Sequence, residues 1–420
     1  AAREEVPDVL AGIGEKFSKN AGVGLAFLAG KNTSPSEARL VAEVRRKFPR
    51  AIWAEYEPID ADVHRRAATL ATGKAVAPRY ELARARRIVS LDCDFLGVEE
   101  DAHRYIRDFA KGRKLAGPDK SQKDKLMNRL YVVEALMSQT GANADHRLRL
   151  VPSQMIKLAA RMAQAVLTQS GSTNQSLLGK LAELGDGFDG HSSWIAECAR
   201  DLIANKGDSL VVAGERQPLE VHLIAHVINV ALDGVGKTVN FLPAADLGAA
   251  NIGELNDALN VGGVDTLVLL GGNPGYDAPV DLNWTASQAK AKTIVRLGGA
   301  EDESFPAEGY QIPLAHYLES WGDARSSDGT YVSVQPLIAP LFDGMTTIEV
   351  LARILGSKTA KGHDIVRSTF ASVAGSDPLG SKWKKLLHEG YWAGTAAQPV
   401  HNVGIDHAAV NSALGRVSDA

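Results

Sequence analysis

Few stretches of this 420-residue chain combine residue types that do chemistry. The first is Gly271-Gly272-Asn273-Pro274-Gly275, which follows the apolar run DTLVLL. Two glycines supply positive φ and Pro274 fixes the next φ, so the chain must turn sharply where the run ends. In open α/β sheets ligands sit at the carboxyl ends of strands, and consecutive N–H groups in such a turn can cradle phosphate. Gly271, Gly272, Asn273, Pro274 and Gly275 are therefore the candidate cofactor-binding residues, weighed against a plain tight connection. His222 and His226 have the i, i+4 spacing of two zinc ligands on a helix. Leu223 stands where a zinc protease has its glutamate, and VHLIAHVINVAL is apolar nearly all round. Buried, packed imidazoles are the expected outcome. Asp60, Asp62 and His64 follow the second strand and could bind a metal or a polar ligand, although a solvated loop suffices to explain them.

Other matches fail on context. Gly236-Lys237-Thr238 precedes a strand, whereas a phosphate-binding P-loop precedes a helix, and Ala231 occupies the place of its first glycine. Gly22 and Gly24 lie before a strand and cannot meet a pyrophosphate at a helix start. His316 and Ser326-Ser327 make no recognisable nucleophile–base pair. Cys93 and Cys198 are the only cysteines. Alone they cannot hold an iron–sulfur cubane or a cysteine-rich zinc site, so they are expected as small core residues. No catalytic or metal-ligating residue is assigned.

The elements that would position these residues alternate between strand and helix. VGLAFLAG (23–30), AIWAEY (51–56), IVSLDC, RLYVVEA (129–135) and a short extended HRLRLVP (146–152) read as strands. Ser34 and Pro35 open a helix between the first two. The glycine, lysine and charged residues of 112–125 read as an exposed insertion, and 153–205 as helical connection. The second half repeats the first: DSLVVAG, KTVNFLP, DTLVLLGGNP, KTIVRLGG and AEGYQIPL follow in the same order. Such alternation implies βαβ units with parallel sheets and helices on both faces. The expected fold is α/β, with two related doubly wound, mainly parallel-sheet domains. The expected boundaries are 1–160 and 161–345, with C-terminal helices and a linker-like arm over 346–420.

Composition narrows the function classes. The chain is 45% hydrophobic, carries a formal charge of −4 and has a pI near 6.3. No basic excess points to nucleic acid, and no apolar run is long enough to span a bilayer. The chain begins with alanine, which reads as a mature or excised segment whose targeting signal has been removed.

The paired α/β pattern, the GGNP turn and residues 307–340 together resemble the molybdopterin oxidoreductase superfamily. The matching elements are Tyr310-Gln311-Ile312-Pro313, Glu319, Gly329-Thr330 and Gln335-Pro336. NPGYDAPVDL, HYLESWGDARSSDGT and QPLIAPLFDG are similar to the large iron–sulfur, molybdopterin-like subunits of alternative complex III. This resemblance covers nearly the whole chain. It implies a respiratory quinol:electron-acceptor oxidoreductase on the periplasmic side of the bacterial inner membrane. It also implies packing against a ferredoxin-like iron–sulfur domain and other subunits. Catalytic members place a cysteine, selenocysteine, serine or aspartate on the metal after the second strand, where this chain has YEPIDADVH. The amino-terminal cluster region and carboxyl-terminal barrel of the family are absent from this sequence. The expectation is a scaffold without its own redox cofactor, with clusters in a neighbouring domain. The alternative is a fragment of a catalytic enzyme that uses molybdopterin guanine dinucleotide.

Overall fold

The computed structural model describes residues 5–60, 62–114, 127–244, 248–306 and 309–416. Its strands, in chain order, are β1 (Leu25–Ala29), β2 (Ile52–Glu55), β3 (Val76–Tyr80), β4 (Arg87–Leu91), β5 (Arg129–Glu134), β6 (His146–Arg149) and β7 (Ser209–Ala213). They continue with β8 (Val239–Pro243), β9 (Thr266–Leu270), β10 (Thr293–Gly298), β11 (Tyr310–Pro313), β12 (Gly322–Arg325), β13 (Tyr331–Val334) and β14 (Tyr391–Trp392). Two sheets are parallel throughout, in the orders β11-β10-β9-β1-β2 and β6-β5-β4-β7. The fold class is thus α/β with two parallel-sheet cores.

The halves of the chain exchange strands. β1 and β2 of the first half join β9, β10 and β11 of the second, while β7 of the second joins β4, β5 and β6 of the first. The compact units are consequently discontinuous: Ala1–Pro58 with Leu247–Ala396, and Ile59–Asp246 with Ala397–Ala420. The sequential boundaries at 160 and 345 do not coincide with this division. A cut at 160 would sever both parallel sheets, because β1 before it pairs with β9 after it and β4 with β7.

In the first unit the alternation of side chains across each strand builds two cores. Phe27, Val268 and Val295 face the helices Val6–Ser18, Pro35–Lys47 and Thr347–Ile354, while Ala26, Leu267 and Leu269 face Ile252–Asn260 and Trp284. Every residue of β1 and β9 is buried, as expected for strands covered on both faces. Ser34 caps the helix Pro35–Lys47 by accepting from the Glu37 N–H, and Pro35 takes the first helical position. Thr346 and Glu349 form a reciprocal capping box at the start of Thr347–Ile354.

The second unit follows the same plan. Val89, Leu91, Val211 and Val133 pack against the helices Met155–Gln169, Ser192–Ala204 and Leu219–Ala231, and Ile88, Leu130 and Leu210 pack on the opposite side with Phe95 and Phe109. β3 lies antiparallel to β8, with Pro78 opposite Phe241. Pro78 is accommodated within β3 because the strand pairs on one side only, in a two-stranded ladder. Residues 112–114 end the preceding helix, and the rest of the anticipated charged insertion lies outside the described residues.

The C-terminal region is corrected in two ways. The helices after residue 346 are not a separate appendage: Ile348, Val350, Leu351, Val366 and Phe370 belong to the first unit's core. The supposed arm ends in the helix His407–Leu414, whose Val410 and Leu414 are fully buried in the second unit's core.

Two glycines on one helix give the packing a test. On Val6–Ser18, a Cβ added at Gly12 would meet nothing within 4 Å, whereas one at Gly14 would lie 1.9 Å from the Ile354 carbonyl oxygen. Gly12→Ala should stabilise by about 0.5–1 kcal/mol through helix propensity. Gly14→Ala should destabilise by about 1–3 kcal/mol by forcing two helices apart. Urea unfolding of both variants checks this, and equal shifts of the same sign would contradict the packing described.

Candidate functional site

In each parallel sheet the chain reverses its direction of progress at one gap, which is where ligands bind in open α/β folds. In the first unit that gap lies between β9 and β1, and the Gly271–Gly275 turn sits at its carboxyl edge. Gly271 and Gly272 have φ of 86° and 68°, so the turn requires glycine for the reason anticipated. Its groups are largely engaged within the protein. Asn273 Nδ2 donates to Glu303 Oε2 at 2.7 Å, Ser304 Oγ donates to Asn273 Oδ1 at 2.7 Å, and the Gly275 N–H donates to Ser304 Oγ at 2.7 Å.

Beside this turn lies Arg296, which sequence reasoning passed over. It stands on β10 and is only 1% exposed. Its Nη2 donates to the Gly272 carbonyl at 2.9 Å and pairs with Asp302, whereas Nε and Nη1 have no partner among the described residues. The neighbouring Gln311 Oε1 is also buried without a partner. A buried guanidinium that lacks part of its hydrogen bonding is costly, so this corner suits an anion or ordered water. The only sequence sign was an arginine inside KTIVRLGG, otherwise a buried strand.

Across the same gap, Glu37 is held in the first turn of its helix. Burial, and then the nearby Glu55 and Asp323 carboxylates, push it up to about 7 against the opposing hydrogen bond of Asn32. Asp323 itself is fully engaged by Ser34 Oγ, Ser36 Oγ and Tyr331 Oη at 2.5–2.7 Å, which marks it as structural.

The corresponding gap of the second unit lies between β4 and β7. Here the structure brings together His64 and His222, with ring centroids 4.5 Å apart. His64 Nε2 is 3.7 Å from Glu99 Oε2, and Glu99 accepts from the Glu215 N–H at 3.1 Å. Gln217 Nε2 donates to Asp92 Oδ2 at 2.8 Å. His64 Nδ1, His222 Nε2 and Gln217 Oε1 are buried without partners among the described residues. A Cβ at Gly214 would lie 2.0 Å from the Asp92 carbonyl oxygen, so only glycine lets the ends of β7 and β4 approach this closely. His226 is buried against Phe241. Of this cluster the sequence had indicated His64 and the two helix histidines, but not Asp92, Glu99, Glu215 or Gln217. Those four come from two separate loops, the one after β4 and the one after β7, and no spacing rule links them.

The loop after β2, where the resemblance in sequence implies a metal ligand, has its carboxylates engaged by arginines. Asp60 pairs with Arg66 at 2.5 Å and Asp62 with Arg65 at 2.6 Å. It contains no thiol, and Glu57 accepts the Lys31 N–H at 2.8 Å. Among the described residues no cluster of three His, Cys, Asp or Glu side chains has metal-holding geometry. Cys93 and Cys198 are both buried, on opposite faces of the same sheet.

No protein-family profile and no curated protein sequence matches the chain. Solved structures do resemble it. Acetylene hydratase from Pelobacter acetylenicus superposes over 93% of this chain with a TM-score of 0.66 at 11% identity. The chain spans 63% of that protein's length. The formyltransferase/hydrolase complex FhcABCD from Methylorubrum extorquens, solved with methylofuran, gives a TM-score of 0.48 at 14% identity, over 86% of this chain and 97% of the other. At these identities the first likeness shows the fold alone.

The buried titratable groups make opposite demands on pH. Burial, then the charge of His64, drives His222 well below the ordinary imidazole range and His226 down to about 4. An unfolded histidine titrates near 6.5. The stability these histidines contribute is therefore full above about 6.5 and is lost as pH falls toward 4. Glu37 has a raised value, so its contribution is full below about 4.5 and is lost as pH rises through 7. Unfolding followed by hydrogen exchange in each unit should show the second unit weakening between about pH 6.5 and 4. The same acidification should strengthen the Glu37 region. His226→Gln should flatten the first dependence and Glu37→Gln the second; unchanged slopes would count against these assignments.

Proposed function

We propose that this chain is a non-catalytic, scaffold-like α/β module of a respiratory quinol:electron-acceptor oxidoreductase resembling alternative complex III. It packs against a ferredoxin-like iron–sulfur domain and other subunits on the periplasmic side of the bacterial inner membrane. The iron–sulfur clusters lie in that neighbouring domain, and this segment carries no redox cofactor. Support begins with the fold, which it shares with acetylene hydratase, a molybdopterin enzyme. The observation that carries the reading is the engagement of Asp60 and Asp62 by Arg66 and Arg65 in the loop where relatives ligate metal. A carboxylate already satisfied by a guanidinium is a poor ligand, because coordination would leave the cation partnerless. The chain's own residues then serve packing and orientation: Asp323 ties together the turn before Pro35–Lys47 and β12, and Gly14 lets two helices meet.

Arg296 favours a second reading, a fragment of an enzyme dependent on molybdopterin guanine dinucleotide. The unpartnered Nε and Nη1 beside the Gly271–Gly272 turn fit the charge of a dinucleotide phosphate. Such a group would supply the metal-binding dithiolene, while Arg296 and the turn would hold its phosphate.

Two measurements separate the readings. Elemental analysis of the purified full-length protein should find molybdenum and tungsten far below one per chain, and a stoichiometric amount would overturn the scaffold. Guanosine diphosphate should leave the melting temperature unchanged. If the second reading holds, the nucleotide instead stabilises saturably, by about 2.7 kcal/mol at a hundredfold excess over Kd, and Arg296→Met abolishes the effect.

A further inference from the structure

The crevice of the second unit holds buried hydrogen-bond acceptors that no function described above uses. Gln217 is 4% exposed, and its Nε2 donates to Asp92 Oδ2 at 2.8 Å. That assignment leaves Oε1, a pure acceptor, without a partner among the described residues. His222 is 2% exposed, and its ring is hydrogen-bonded to the backbone of Gly214 and Gln217 while Nε2 has no partner there. The ring proton therefore stands on Nδ1, and Nε2 offers a lone pair. His64, with its ring centroid 4.5 Å from that of His222, faces Glu99 through Nε2 at 3.7 Å and has a buried, unpartnered Nδ1. In a neutral ring with its proton toward the Glu99 carboxylate, that Nδ1 is a third acceptor. Acceptors shut away from water without donors are costly, so this place needs a group that brings N–H or O–H bonds.

Charge narrows what brings them. Asp92, Glu99 and Glu215 lie in the loops after β4 and β7, and among the described residues none of the three is in an ion pair with Lys or Arg. Burial, and then the Glu99 charge, pushes the Glu215 carboxyl up, with Glu100 adding to it. Burial likewise raises Asp92, against the hydrogen bond from Gln217. The cations on the surrounding elements are committed elsewhere: Arg65 to Asp62, Arg66 to Asp60, Arg104 to Asp101 and Arg147 to Glu134. Arg216, exposed beside Gln217, favours the charged forms of both Asp92 and Glu215. Four carboxylates against this one guanidinium leave the crevice anionic, which disfavours a phosphate or carboxylate ligand. Among the described residues no three side chains are placed to hold a metal ion. An organic cation meets both demands.

We infer that this crevice binds a small organic cation rich in N–H donors, a protonated amine or guanidinium compound. Gln217 Oε1 and His222 Nε2 accept its hydrogens, and Asp92, Glu99 and Glu215 balance its charge. The inference rests on neither cofactor reading, since a pterin dinucleotide brings phosphate.

The test is calorimetric titration of the full-length protein with agmatine, which carries an ammonium at one end and a guanidinium at the other. Agmatine should bind one per chain, and tetramethylammonium, a cation without N–H donors, at least about tenfold more weakly. Glu99→Gln should weaken agmatine about tenfold, whereas Glu183→Gln, at a side chain 70% exposed in the same unit, should leave it unchanged. If Glu99→Gln disturbs the fold, the wild type answers by itself. In heteronuclear spectra of the histidine rings, agmatine should move the signals of His64 and His222 and leave that of His146, stacked on Tyr131, in place. The inference is overturned if agmatine fails to bind at up to about 10 mM, or if it binds without moving those two signals. It is equally overturned if tetramethylammonium binds as well as agmatine, if a folded Glu99→Gln binds agmatine as tightly as the wild type, or if zinc or guanosine diphosphate occupies the crevice in its place.

Discussion

The pairing of β1 with β9 is the constraint on which the first unit rests. Phe27 lies opposite Val268, and the Gly24 carbonyl accepts from both Asp265 and Thr266 at the start of the pair. This junction joins segments about 240 residues apart, and β4 with β7 does the same in the second unit across about 120. Neither half of the chain can complete a sheet alone. The strands on each side of these junctions would expose unpaired backbone groups until the distant partner arrives, a demanding order of events for folding.

The same junctions create the two crevices. A strand pair at which the chain's direction of progress reverses leaves loops pointing apart at its carboxyl edge, and polar side chains collect there. In the first unit the crevice is edged by a glycine turn, a buried guanidinium and the buried Glu37. In the second it is edged by carboxylates and two close imidazoles. The carboxylates Asp60 and Asp62 of the loop after β2 are matched by Arg66 and Arg65.

Polar groups shielded from solvent carry opposite costs in this fold. Asp323 and Asp201 sit in dense hydrogen-bond networks, Asp201 receiving Arg87, Arg129 and Tyr131 within 2.9 Å, and such charges hold elements in register. Arg296 and His222 are left with unsatisfied nitrogens instead. Such atoms are tolerated where water or a ligand completes them.

The sequence by itself determined the element types and the class of fold. Five-residue apolar runs such as TLVLL, alternating with amphipathic helices, permit little besides buried parallel strands. It also determined the glycine turn at 271–272, the cap at Ser34 and the burial of His222 and His226, since each depends on neighbours within one or two turns of chain. The resemblance in residues 307–340 pointed to the molybdopterin-type fold. Only the tertiary structure decided which strands share a sheet, because β1 is equally apolar toward β4 or β9 and nothing local prefers one. That choice made the units discontinuous, returned the tail at 407–414 to the second core, and put Glu99, Asp92 and Gln217 beside His64 and His222. It also left Arg296 buried beside the glycine turn. Side chains meeting across a sheet junction share no spacing along the chain, so their chemistry exists only after the strands have paired.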